Sequence, residues 1–229
     1  DEINNKKLKQ NKLKNWKRKI QNIFEQKIPK TSLEKELKLS IEMFNLDRFD
    51  FDSIINGMMM DALDDIQFPT KKNLDLYCDR VAVAVGYLSI KIFGLSEKEK
   101  KYAFYLGRAF QLTNIVRDFY EDLRRDRCYI ASEYLSKYGV DKNIKTIINE
   151  PKLQNIFQDI LKEARKYFEK SMLESKSIFK KDIIASEIMK EFYKAIHKKM
   201  FNKNINFKKK VKLNSIEKIF ILFKFLIRY

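Results

Sequence analysis

Glycine and proline are scarce, 5 and 3 in 229 residues. So few turn-formers in so long a chain exclude a fold built on many tight turns and point to helices. Cysteine is scarce too. Cys78 and Cys128, in a chain without a signal-like start, exclude a disulfide framework and fit a reducing cytoplasm. No apolar run reaches the ~20 residues that a membrane-crossing helix needs. Internal repeats and Gly/Ser linkers are missing, so residues 1–229 read as one domain. The chain starts at Asp1 rather than at a methionine, which reads as a fragment or a processed product.

The residues present are 45% hydrophobic and 13% aromatic, enough for a single large core. Lys and Arg number 48 against 31 Asp and Glu, a net charge of +17. That excess suits an anionic partner: nucleic acid, an acidic membrane surface or a phosphorylated substrate. Lysines that merely solvate helix faces would give the same total. No nucleic-acid recognition motif accompanies the charge, so nucleic acid is not expected as a partner.

Apolar residues recur at helical spacing in "LKNWKRKIQNIF", "LEKELKLSIEMF" and "FDSIINGMMMDAL". Thr70 is placed to cap a long helix that Gly94 ends, and "SEKE" from Ser96 has the capping-box pattern for the next one, running to about Arg124. Further helices are expected over 151–177, 182–201 and 214–228. The fold class is therefore all-α. The terminal "IFILFKFLIRY" is too short to span a bilayer. It reads as a core helix, or, with its lysines, as a segment resting on an anionic membrane. The cationic run "NKNINFKKKVK" before it reads as a solvated loop or as a clamp for phosphate groups.

One helix breaks the pattern. In "QLTNIVRDFYED", Gln111, Asn114, Asp118 and Asp122 are spaced by three, four and four and stack along one face, while Leu112, Ile115, Val116 and Phe119 point elsewhere. Two carboxylates on a helix face in apolar surroundings repel each other unless a cation sits between them. Mg²⁺ is the natural candidate, since it is commonly held by one or two carboxylates plus substrate phosphates. The plain alternative pairs the two aspartates with Arg117, Arg124, Arg125 or Arg127 at the surface. A second four-spaced pair, Asp61 and Asp65 in "MMMDALDD", lacks such amides and lies near a helix end, so it reads as mainly surface.

These residues resemble the squalene and phytoene synthase family. "LGRAFQLTNIVRDFYED" is similar to the family's second aspartate-rich signature, and "YCDRVAVAVGYLSIKIFG" to its tyrosine-bearing helix. "SIINGMMMDAL" and "VKLNSIEKI" fall at family-like positions, so the resemblance runs through essentially the whole chain. Within the family, the tyrosine helix most resembles the presqualene diphosphate synthases of bacterial hopanoid pathways.

The resemblance implies an all-α isoprenoid-synthase-type bundle around a hydrophobic cavity, with Asp118 and Asp122 holding Mg²⁺ against a diphosphate. It gives Gln111 and Asn114 the site's amides and Arg117 and Arg127 its nearby cations. Tyr77 becomes the cavity tyrosine that handles a proton, Tyr193 a second one, and Lys208 to Lys210 late basic residues. "DE" followed by "NNKKLKQNKLKNW" resembles the tail of the first aspartate-rich motif, with Asp1 as its last metal ligand. The resemblance then implies that most of that motif precedes Asp1 and that the chain by itself is inactive.

The implied reaction is head-to-head condensation of two farnesyl diphosphates to presqualene diphosphate, by a prenyltransferase in the cytoplasm, touching the inner face of the membrane peripherally. Phytoene or squalene formation is the alternative reaction, and a non-catalytic assembly protein the alternative of another class. Three positions depart from the family. Asp126 precedes Arg127 where a glycine is usual, Ala131 stands where a proline is usual, and Val83 replaces a small residue, which would narrow the cavity.

Overall fold

A computed structural model describes residues 6–63, 66–201 and 210–228. The architecture is all-α, and the only pairing of strand type among the described residues is an isolated bridge between Gln67 and Cys128. The described residues form eleven α-helices in order: α1 (Lys6–Phe24), α2 (Ser32–Phe44), α3 (Arg48–Leu63), α4 (Lys71–Cys78), α5 (Ala84–Ile92), α6 (Lys100–Arg117), α7 (Phe119–Leu123), α8 (Ser132–Tyr138), α9 (Leu153–Glu174), α10 (Lys180–Phe201) and α11 (Ser215–Arg228). None is long and apolar enough to cross a membrane.

The local signals act as their chemistry predicts. The Thr70 hydroxyl accepts from the Asn73 amide and starts α4, and Gly94 leaves the end of α5 with φ +76°. Ser96 and Glu99 form the reciprocal capping box ahead of α6. Between α4 and α5, residues Asp79–Val83 coil as a π-helix, so the long helix expected here is one path with a wider turn inside it. Two glycines bring neighbours onto that turn. A Cβ on Gly57 of α3 would lie 2.6 Å from Val81 Cγ1, and one on Gly107 of α6 3.1 Å from the Val83 backbone. Val83 is thus packed against α6, and it does not belong to the cleft wall described below, which corrects the expectation that its bulk narrows the cavity.

Helix α6 is the axis of the molecule. It packs along α9 and α10 on one side and against the π turn and α5 on the other, while α1 lies along α3. Leu112, Ile115, Val116 and Phe119 are buried, with Phe119 edge-on to Phe157 at 4.9 Å. The apolar half of the expected stripe is therefore core, with Ile115 at its border touching the cleft, and its polar half is turned the other way.

Candidate active site

The polar stripe faces an open cleft of about 670 Å³. Helix α6 ends at Arg117, earlier than the expected Arg124, because Asp118 leaves helical geometry at φ −99°, ψ 0°. The ladder still continues, Asp118 N to Asn114 O at 2.8 Å and Asp122 N to Asp118 O at 2.9 Å. Direction is preserved, so Gln111, Asn114, Asp118 and Asp122 all line one wall.

Their environments differ. Burial pushes the Asp118 carboxyl up, but bonds from Arg117 at 2.7 Å and Lys210 at 2.8 Å outweigh it and hold the group below the usual carboxylate range. Burial and then the charge of Asp118 push Asp122 up to about 7, against Arg127 and Arg125. Asn114 Oδ1 is buried and has no hydrogen-bond partner among the described residues. A buried, unpaired acceptor costs about 1–3 kcal/mol, so a ligand that donates to it or coordinates it gains there.

The opposite wall comes from α1 and α3. Lys9, Lys12 and Trp16 stand on α1, and Met58 and Asp61 on α3. Asp61 is not a surface group, contrary to the sequence-based expectation. Its carboxylate accepts from the Tyr77 hydroxyl at 3.0 Å and the Tyr129 hydroxyl at 2.7 Å, and the two rings stack at 5.0 Å. Burial raises the Asp61 carboxyl above its ordinary value, with both phenols opposing. Burial also raises both phenols, so they remain donors at neutral pH. Its companion Asp65 lies outside the described residues, as do Asp1, Lys208 and Lys209.

Tyr129 and Arg127 reach the cleft through a pinned turn. Asp126 sits in the left-handed region at φ +56°, which is why a glycine suits this place and an aspartate is tolerated. Gln67 Nε2 binds Asp126 O at 2.9 Å, and Cys128 exchanges backbone bonds with Ile66 and Phe68 at 2.7 and 2.9 Å. Ala131 has φ −64° and ψ 142°, a conformation that proline shares, so this departure also leaves the path intact.

Two carried-over residues fall elsewhere. Arg117 turns to Asp118 and lies 5.8 Å over the Tyr193 ring, and Tyr193 stacks on Phe110 at 4.1 Å. Neither is among the residues that line the cleft. Conversely, Asp61, Tyr129, Lys9 and Lys12 line the cleft without having been singled out as site residues. The hints in the sequence were the likeness of "NNKKLKQNKLKNW", which holds Lys9 and Lys12, to a motif tail, and Asp61 in the family-like "SIINGMMMDAL".

The residues present fit a hard cation. Asp118 and Asp122 supply two carboxylates and Asn114 Oδ1 an unsatisfied neutral donor, while no group of three or more acidic, His or Cys side chains is assembled among the described residues. Such a half-shell leaves positions for phosphate oxygens. Replacing Tyr129 by phenylalanine is expected to cost about 1.5–3 kcal/mol, the range for a bond to a charged acceptor. A urea titration at pH 7 measures it, and an unchanged midpoint would mean that Asp61 is solvated.

The squalene/phytoene synthase family profile matches residues 1–217. A presqualene diphosphate synthase of Zymomonas mobilis is 42% identical over 133 residues, 58% of this chain and 46% of that protein. One from Rhodopseudomonas palustris is 53% identical over 102 residues, 44% of this chain and 37% of that protein. The matched stretches thus span less than half the length of these relatives. A crystal structure of a dehydrosqualene synthase in complex with ligand superposes with TM-score 0.77 at 25% identity, covering 95% of this chain and 78% of that one. A squalene synthase from Alicyclobacillus acidocaldarius shares the fold at TM-score 0.75 and 20% identity, over 88% of this chain and 78% of that one. Since the profile spans 217 of the 229 residues and the fold is an all-α bundle, the chain belongs to the squalene/phytoene synthase family.

Proposed function

We propose that the protein is a Mg²⁺-dependent prenyltransferase of the hopanoid or squalene route that joins two molecules of farnesyl diphosphate head to head into presqualene diphosphate. The observation that carries this reading is the stripe itself: an unsatisfied Asn114 Oδ1 in line with two carboxylates, in a cleft rimmed by Lys9, Lys12, Arg125, Arg127 and Lys210. The relatives named presqualene diphosphate synthase support the product.

The lysines and Arg127 would bind and orient the diphosphates. Asp118, Asp122 and Asn114 would hold Mg²⁺, which when bound neutralises charge gathering on the leaving diphosphate. As the allylic carbon–oxygen bond breaks, its electron pair leaves with diphosphate. The double bond of the second molecule attacks the cation and forms the new carbon–carbon bond. Loss of a proton then supplies the electron pair that closes the cyclopropane. At the cleft floor the acceptor is Asp61, reached through Tyr77, whose phenol passes one proton on as it takes the other. Leu13, Trp16, Met58 and Ile115 form the apolar part of the lining, against which the prenyl chains would pack.

Formation of phytoene or squalene is the nearest alternative, since phytoene synthases also match; one from Synechocystis is 32% identical over 171 residues. A non-catalytic assembly role leaves the preserved stripe without a purpose. Incubation of the chain, extended upstream of Asp1 by a first aspartate-rich motif, with farnesyl diphosphate and Mg²⁺, followed by diphosphate release and product analysis, decides between them. Presqualene diphosphate is expected, and Asp118→Ala should lower turnover by about 10³-fold. Phytoene from geranylgeranyl diphosphate would move the assignment to the alternative, and no diphosphate release from either substrate would overturn the enzyme reading.

A further inference from the structure

Helix α11 leaves a large apolar face without a partner. Ile216, Ile219, Phe220, Phe223, Leu226 and Ile227 are 62–77% exposed. Counted from Ile216 they stand at i, i+3, i+4, i+7, i+10 and i+11, a single stripe about 120° wide. The reverse side, with Phe225 buried, packs on α10. This corrects the simpler expectation of a core helix: only one side of the segment is core.

Basic side chains line one edge of the stripe. Lys224 flanks it on α11 itself. A groove of about 810 Å³ between α9, α10 and α11 has Arg165, Lys194, Lys198 and Lys224 at its edge. Glu169 and Glu191 balance Arg165 and Lys194 at 3.1 and 2.9 Å. Lys198 and Lys224 have no acidic partner among the described residues, so their charge is directed outward.

We infer that α11 is an in-plane membrane helix, seating its apolar stripe in the surface of an anionic bilayer while the lysines beside it meet lipid phosphates. Length agrees: 14 residues rise about 21 Å, short of the ~30 Å hydrocarbon core but ample for lying along its boundary. Charge selects this occupant over a second copy of the chain, which would bring the same lysines and the same net +17 to the contact. The stripe also begins close to the cleft. Lys210, bonded to Asp118, precedes α11 by a few residues, so a bilayer beneath α11 lies near the cleft mouth. The inference does not depend on which product the cleft makes, and its test needs no turnover.

Flotation of the protein with sized vesicles tests it. Vesicles containing phosphatidylglycerol should carry the protein upward, and pure phosphatidylcholine vesicles should carry much less. About 1 M NaCl should release most of it, since the Debye length falls to about 3 Å. Phe220→Ser with Phe223→Ser should weaken partitioning on the order of 30-fold. Both rings are more than 60% exposed, so the fold should survive, which the far-UV circular dichroism and thermal midpoint of the variant verify. Equal flotation of wild type and variant would overturn the inference. So would failure to float on anionic vesicles, and a concentration-dependent dimer abolished by the same two changes would then assign the stripe to a second copy.

Discussion

Asp122→Asn is expected to stabilise the fold and silence the cleft in one change. Burial and the neighbouring Asp118 hold the Asp122 carboxyl at about 7, well above the ~3.9 of an unfolded chain. A group raised in this way supports folding fully below its unfolded pKa and loses that support as pH rises through 7. At pH 8 the charged, buried Asp122 therefore weighs against the native state, and an amide does not. The variant should gain about 2 kcal/mol at pH 8, after allowance for water in the open cleft, and nothing at pH 4. Turnover with Mg²⁺ should fall about 10³-fold. Thermal melts of both proteins at the two pH values measure the first effect. A difference in stability that does not change with pH would show that Asp122 is already compensated, and the strained-carboxylate account would be lost.

Arg108→Met should cost about 3 kcal/mol. Arg108 is 6% exposed and grips Asp79 with two bonds of 2.7 Å, while a third contact reaches Asp75. Its guanidinium lies 5.3 Å over the Phe104 ring. Methionine fills similar space but leaves Asp79 without its two bonds, while Asp75 keeps Lys71 at 2.6 Å. Breaking a buried pair costs about 3–5 kcal/mol, and the lower end applies because Asp75 and Asp79 are 34% and 40% exposed. For a chain of this size the thermal midpoint should drop roughly 6–12 °C. Adding Asp79→Asn should recover part of the loss. A single variant within 1 kcal/mol of wild type would show the cluster to be a solvated surface network. The clamp straddles Tyr77, with Asp75 two residues before it and Asp79 two after, so it also holds the turn from which that phenol reaches Asp61.

Much of the fold was legible because its signals are local. Periodicity placed the long helices, Thr70 and the Ser96–Glu99 box marked their starts, and the Gln111–Asp122 spacing foretold one wall of the cleft. The alternative reading of that stripe also holds in part, since Arg117 does pair with Asp118. The opposite wall was legible only in part. The likeness of "NNKKLKQNKLKNW" to a motif tail marked the segment, but which of its lysines face the cleft is decided only when α1 is laid along α3, and Asp61 looks like a surface group until Tyr77 and Tyr129 arrive from elsewhere.

Asp126 makes the same point at a single residue. Read as a motif, it departs from the family's glycine; read as a φ of +56°, it satisfies the same turn. Helix placement, the polar stripe and the cationic balance were determined by the sequence itself, since each depends on residues within a few turns of one another. Which carboxylates share a cleft, that Arg117 and Tyr193 lie outside its lining, and that α11 is core on one side only were decided by packing. Those outcomes join residues such as Asp61 and Tyr129, 68 positions apart, and no local pattern records a contact at that separation.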